Sequence, residues 1–205
     1  YSLWPLFLRL GINTPPLSAR AYGTTTCRID NHVSHGVRNT VAFPYSSTVQ
    51  FDFPSQEMLP AFKLYWYDGG MKPMTPDELD ADGKELPREG MLFVGDQGKI
   101  LASFHGDNPK IIPEKRMVQL TGSEKAPRMK NNQDERTWIE AFKKGEESPG
   151  TFLKAKPITQ TILLGAVALR AGRKVVYDPE KVEITNYERA NQYLIREYRS
   201  GWELG

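Results

Sequence analysis

Thr48-Val49-Gln50-Phe51-Asp52-Phe53 and, after eight intervening residues, Phe62-Lys63-Leu64-Tyr65-Trp66-Tyr67 alternate apolar with polar or amphipathic side chains. Because successive strand residues point to opposite faces, this period of two predicts two strands with Val49, Phe51, Phe53, Phe62, Leu64 and Trp66 turned to a core. Lys63, Tyr65 and Tyr67 fall on the opposite face, which is therefore aromatic and expected to be partly covered. Residues 19–26 and 174–177 read as further strands, and residues 91–94 and 99–104 as a hairpin about Gly95-Asp96-Gln97-Gly98. The polar stretch through Asp30, Asn31 and Arg38 reads as an irregular loop, as does the Pro-, Asp- and Gly-rich stretch around Met74-Thr75-Pro76-Asp77-Glu78-Leu79.

Helical signals frame these strands. Leu3-Trp4-Pro5-Leu6-Phe7-Leu8-Arg9-Leu10-Gly11 is the back half of an apolar helix closed by glycine, which suggests that the chain is part of a longer protein. Trp138, Ile139 and Phe142 form the apolar stripe of an amphipathic surface helix. Over residues 158–170, Ile158, Ile162, Ala166 and Leu169 share a face, with Leu163, Leu164 and Val167 around the circumference. That pattern predicts a core helix buried on most sides and closed by Gly172. Asn186 is placed to cap a last helix carrying Ala190, Tyr193, Leu194 and Tyr198. Residues 124–133 are polar and basic, the composition of a poorly ordered stretch. Strands first and helices later predict one α+β domain over residues 1–205, a mainly antiparallel open sheet with helices on one face.

Composition narrows the function classes. The 205 residues carry 27 Lys and Arg against 25 Asp and Glu, so no overall polyanion-binding surface is written into them and nucleic acid is not an expected partner. Residues 162–169 are the longest apolar run, well short of the roughly 20 residues of a membrane span, and no membrane or targeting segment is expected. A single cysteine, Cys27, excludes an internal disulfide but fits a reducing or an oxidising compartment alike.

Site chemistry is sparse. No Gly-x-Gly-x-x-Gly or Gly-x-Ser-x-Gly occurs, and Gly95-Asp96-Gln97-Gly98-Lys99 lacks both the spacing and the following helix of a phosphate loop. Cys27, Asp30, His32 and His35 are all possible metal ligands, but without the helical pairing of the common zinc motif, so no metal site is assigned. Tyr67, Asp68 and Lys72 around Gly69-Gly70 either line a polyol pocket or simply make a sharp turn. His105, beside Gly106 at another strand end, is either a contact residue or part of a turn set by Asp107 and Asn108.

The order of several stretches resembles a known family. Leu64-Tyr65-Trp66-Tyr67-Asp68-Gly69-Gly70-Met71-Lys72-Pro73, Pro76-Asp77-Glu78-Leu79, Gly90-Met91-Leu92-Phe93-Val94-Gly95-Asp96-Gln97-Gly98-Lys99-Ile100 and Asn108-Pro109 are similar to the C-terminal domain of the glucose-fructose oxidoreductase, inositol dehydrogenase and rhizopine-catabolism (Gfo/Idh/MocA) family. Thr161-Ile162-Leu163-Leu164-Gly165-Ala166-Val167-Ala168-Leu169-Arg170, Ala190-Asn191-Gln192-Tyr193-Leu194 and Tyr198-Arg199-Ser200-Gly201-Trp202-Glu203-Leu204 resemble its bacterial branch.

The resemblance implies a two-domain oxidoreductase: a preceding Rossmann domain holding NAD or NADP, and this domain supplying the substrate floor and an oligomer interface. The family's Glu-Lys-Pro lysine belongs to that other domain. Glu114-Lys115-Arg116 and Glu124-Lys125-Ala126-Pro127 lie in the wrong domain and order, so no catalytic and no cofactor-binding residue is assigned here. The expectation is thus the substrate-binding and oligomerisation domain of an NAD(P)-dependent oxidoreductase acting on a sugar or polyol. The candidate substrate contacts are Tyr67, Asp68, Lys72 and His105, and a homo-oligomer is expected through the open sheet face. The alternative is a non-catalytic self-associating or sugar-binding sheet module.

Overall fold

The computed structural model describes residues 1–37, 39, 41–57, 59–125, 135–148 and 150–202. In chain order these form α1 (Leu3–Leu10), β1 (Ser18–Gly23), β2 (Thr26–Asp30), β3 (Val33–Val37), β4 (Ser47–Phe53), β5 (Phe62–Tyr67), α2 (Asp77–Ala81), β6 (Met91–Val94), β7 (Lys99–Ala102), β8 (Lys110–Ile112), α3 (Glu114–Thr121), α4 (Glu135–Lys144), α5 (Phe152–Ala171), β9 (Val175–Asp178) and β10 (Glu183–Ile184), with a final 3-10 turn over Glu188–Tyr193. All strand pairings among them are antiparallel, so the fold is α+β with open antiparallel sheets. The chain gathers into two compact units, Tyr1–Asn13 with Lys72–Ile158, and Thr14–Met71 with Thr159–Gly205.

The second unit holds a five-stranded sheet in the order β10-β9-β1-β4-β5. The alternation in β4 acts as the sequence predicts: Val49, Phe51 and Phe53 are buried, while Thr48, Gln50 and Asp52 are half-buried. Register aligns Val49 with Trp66, Phe51 with Leu64 and Phe53 with Phe62, and Phe53 and Phe62 stack with ring centroids 4.7 Å apart. Helix α5 covers this face. A Cβ built on Gly165 would stand 2.9 Å from the Phe51 ring and 3.4 Å from a Val49 methyl carbon, so the missing side chain is what lets the helix approach so closely.

Helix α5 departs from the sequence reading in extent and in burial. It begins at Phe152, with Pro157 inside it, and its buried side is Ile158, Thr161, Leu164, Val167 and Ala168. Ile162 and Leu163 are more than half exposed, which corrects the expected burial on most sides. A helix lying on one sheet face needs one apolar stripe, and Ile162 and Leu163 fall outside it. By length and composition α5 would also suit a membrane span, yet its buried stripe is already used against a sheet.

Two expected loops are ordered elements. Residues 26–37 form the β2–β3 hairpin instead of an irregular loop, turning through Asn31 and His32, both left-handed at φ 48° and 66°. Paired positive φ values match the twist of two-residue hairpins. Every one of its ten strand residues is exposed, so no inside–outside alternation marked it. Residues 77–81 form α2 instead of loop: three acidic residues complement the helix N-terminus, and Leu79 is buried. Asn186 does not cap a helix. Its Oδ1 accepts from the Val176 N–H at 2.7 Å and its Nδ2 donates to the Lys174 carbonyl at 3.0 Å, extending the sheet edge.

The first unit holds the three-stranded sheet β6-β7-β8 over a small core of Leu79, Leu86 and Ile112, joined by Leu92 and Leu101. Helix α3, which the sequence reading missed, begins after Pro113, whose ring offers no capping oxygen. Asp82 supplies it from a distance, Oδ2 accepting from the Glu114 N–H at 2.9 Å. Gly11 closes α1 in the expected left-handed conformation at φ 65°. Most of the stretch expected to be poorly ordered, residues 126–133, lies outside the described residues, as do Arg38, Glu203 and Leu204.

Candidate functional site

The exit of β5 is the best-built polar region among the sequence candidates. Asp68 follows the last strand residue, and its N–H donates to the Ser47 carbonyl at 3.0 Å. Its carboxylate then accepts three bonds: from the Ser47 N–H at 2.6 Å, the Ser47 hydroxyl at 2.9 Å and the Trp66 indole N–H at 3.2 Å. Ser47 is buried, so Asp68 satisfies a donor that would otherwise have no water. Anchoring the strand end is therefore the role its geometry assigns. Asp68→Ala is expected to cost about 1–3 kcal/mol, with Asp68→Asn, which keeps one acceptor oxygen, costing less. Chemical denaturation checks this, and an Asp68→Ala variant as stable as the parent would refute it.

Tyr67, one residue earlier, is half-buried on the opposite face of the strand and pairs across with Thr48. Lys72 and His105 belong to the other compact unit. There Lys72 donates from Nζ to the Leu86 carbonyl at 3.0 Å. His105 is exposed in a turn in which the Gly106 N–H reaches the Ser103 carbonyl at 2.9 Å, and its ring meets Phe104 edge-on at 5.2 Å between centroids. Of the four candidates, then, Tyr67 and Asp68 are adjacent at one strand exit and the other two stand in different surroundings.

The histidines and cysteine of the hairpin are not gathered either. Register pairs Cys27 with Gly36, Arg28 with His35 and Asp30 with Val33, which puts Cys27 on the face opposite Asp30 and His35. Among the described residues, no three His, Cys, Asp or Glu side chains converge as a metal site would require.

Sequence reading missed the polar centre of the open sheet face. Strand registers arrange that face in rows: Tyr22, Thr48 and Tyr67; Arg20, Gln50 and Tyr65; Ser18, Asp52 and Lys63. In the third row Asp52 accepts from the Ser18 hydroxyl at 2.7 Å, from Gln50 Nε2 at 2.8 Å and from Lys174 Nζ at 3.0 Å. Burial by itself would raise its pKa, but the Ser18, Gln50 and Lys174 donors and the Lys174 charge outweigh that and hold the carboxyl at about 2 against an ordinary 3.8. Lys174 lies 122 residues away in sequence, so no local motif announces the pair.

A depressed folded-state pKa stabilises the protein above the unfolded value, and that contribution disappears as pH falls from about 4 toward about 2. Since both partners remain partly open to water, its size is about 1–2 kcal/mol. Unfolding curves of the parent and of Asp52→Asn should converge across that window. Curves that stay parallel would show that the network does not hold in solution.

In the smaller unit Lys99 donates to both carboxylate oxygens of Glu78, at 2.7 and 2.5 Å, and this bond keeps Glu78 below its usual range. Compared with family models, curated proteins and solved structures, the chain matches none.

Proposed function

We propose that this chain is the substrate-binding and self-associating part of an NAD(P)-dependent oxidoreductase acting on a sugar or polyol. What supports the reading is the way the family-like stretches fall on structural elements: residues 64–73 cover the last four residues of β5 and its exit, residues 90–100 cover β6, its turn and the first two residues of β7, and residues 161–170 belong to the part of α5 over the sheet. In such an enzyme the nicotinamide, held by a separate nucleotide domain, exchanges hydride with the alcohol carbon, and protein groups orient the hydroxyls. Here the Tyr67 hydroxyl at the β5 exit is the candidate contact, and Asp68 holds the strand end that carries it. The test is calorimetric titration with NAD and NADP. The chain alone should show no saturable binding, because its sequence carries no Gly-x-Gly-x-x-Gly, whereas the full-length gene product should bind one of them and turn over polyols. A full-length product that takes neither dinucleotide rejects the oxidoreductase reading.

A non-catalytic self-associating or sugar-binding module is the second reading, and the open face favours it specifically. Tyr22 is 66% and Tyr65 49% exposed, and tyrosine suits a protein–protein surface because its ring packs while its hydroxyl keeps a polar partner. Two such faces related by a two-fold axis would bury on the order of 1,600 Å². Light scattering over a concentration series should show a dimer or larger species that Tyr65→Glu disperses. A parent that stays monomeric, or an oligomer indifferent to the new charge, excludes this interface.

A further inference from the structure

The ladder between β1 and β9 has two registers only, Ser18 with Val176 and Ala19 with Val175. Beyond Ala19 the strands part: β1 continues along β4 to Gly23, while the other bank turns back through Gly172 into α5. The resulting cleft, of about 310 Å³, has Arg20 and Tyr22 on one side and Arg173, Lys174 and Asn186 on the other. Three of its lining side chains are cationic and none is acidic. Asp52 balances Lys174, and among the described residues neither the Arg20 nor the Arg173 guanidinium has an ion-pair partner, which leaves two such charges at one small cleft. The whole chain carries a formal net charge of only +2, so this is a local concentration and not a share of a generally basic surface.

The banks are also held in place. Asn186 bonds the Lys174 carbonyl and the Val176 N–H, and the Arg173 guanidinium lies over the Tyr187 ring at 4.7 Å. Stacking uses the face of a guanidinium and leaves its in-plane N–H groups directed outward, the arrangement that pairs two-to-two with an oxyanion. We propose that this cleft binds a small oxyanion of the phosphate type, either free or carried as a monoester on a small molecule. A dianion matches two uncompensated guanidiniums where a carboxylate would match one, and the Tyr22 hydroxyl adds a neutral donor. The volume suits one phosphate-bearing small molecule. The proposal stands on the cleft alone and does not depend on the oxidoreductase reading.

Isothermal titration of the full chain with inorganic phosphate, a hexose 6-phosphate and the unphosphorylated hexose, each at matched chloride ionic strength, tests it. Saturable one-to-one binding of the phosphorylated probes is expected, with no binding of the plain hexose. Arg20→Gln and Arg173→Gln should each weaken it by about tenfold or more, and Arg28→Gln, on the β2–β3 hairpin and not among the cleft's lining residues, should leave it unchanged. Equal affinity for phosphate and hexose phosphate identifies the free anion as the source, and tighter binding of the ester identifies the monoester. Arg20 is exposed and has no ring contact among the described residues, so Arg20→Gln decides the matter should Arg173→Gln unfold by losing its own. Absence of saturation with either phosphorylated probe, or binding indifferent to Arg20→Gln, overturns the proposal.

Discussion

Phe51→Ala is expected to destabilise the five-stranded sheet and its helix by about 3–5 kcal/mol, at the severe end for a single truncation. Phe51 is 4% exposed on an interior strand, and its neighbours across the ladder are Ala19 and Leu64. The ring presses on Gly165 of α5, where even one added carbon would come within 2.9 Å. Ala19 and Gly165 are already among the smallest residues, so neither can grow into the space that the ring leaves, and a cavity that cannot collapse keeps its full cost. Urea denaturation should show a large fall in midpoint with little change in slope. A loss below about 1 kcal/mol would mean that the helix does not sit on the sheet in this way.

The second large effect separates two adjacent glycines that look alike in sequence. Gly69→Ala is expected to cost about 2–5 kcal/mol, because strain and collision add. Its φ is +61°, and a Cβ there would meet the Tyr45 carbonyl oxygen at 2.3 Å and the Ser46 Cα at 2.5 Å, backbone atoms that no rotamer change can move aside. Gly70, at φ +89°, has nothing within 4 Å of the same position, and Gly70→Ala should cost only the backbone strain, about 1 kcal/mol. Thermal unfolding of the two variants side by side measures the difference. Equal losses would show that the close approach to Tyr45 and Ser46 is not made. The pair beside the candidate pocket thus combines one residue wedged against backbone with one that is open.

Much of the architecture was readable where burial imposed a rhythm. Val49, Phe51 and Phe53 alternate because one side of β4 is dry, and that constraint is visible in six consecutive letters. Where burial is absent or shared, the rhythm fails: the exposed hairpin gave no alternation, and α2 and α3 are too short for a helical period to stand out from Pro-rich surroundings. Asn186 reads as a helix cap because its side chain can mimic backbone in either setting, and only the three-dimensional edge of β9 shows which groups it serves. The candidate site was less readable still. Asp68 could be picked out as a carboxylate beside glycines, but its use depends on Ser47, 21 residues away, and the Asp52 network and the cationic cleft are assembled across the β1–β9 junction from both ends of the sheet unit. Pairings of that kind leave no local trace in a single sequence.

The β2–β3 hairpin has a consequence for how this fold can change. Its ten strand residues bury no side chain, so its opening takes little free energy and does not require the five-stranded sheet to unfold. Natural variation acting there would be largely released from the packing constraints that govern Phe51 or Gly165. Doubling the excursion between β1 and β4 adds only about 0.6 kcal/mol of closure entropy. The hairpin is therefore the position at which insertions or replacement recognition elements can accumulate while the sheet that carries them keeps its register.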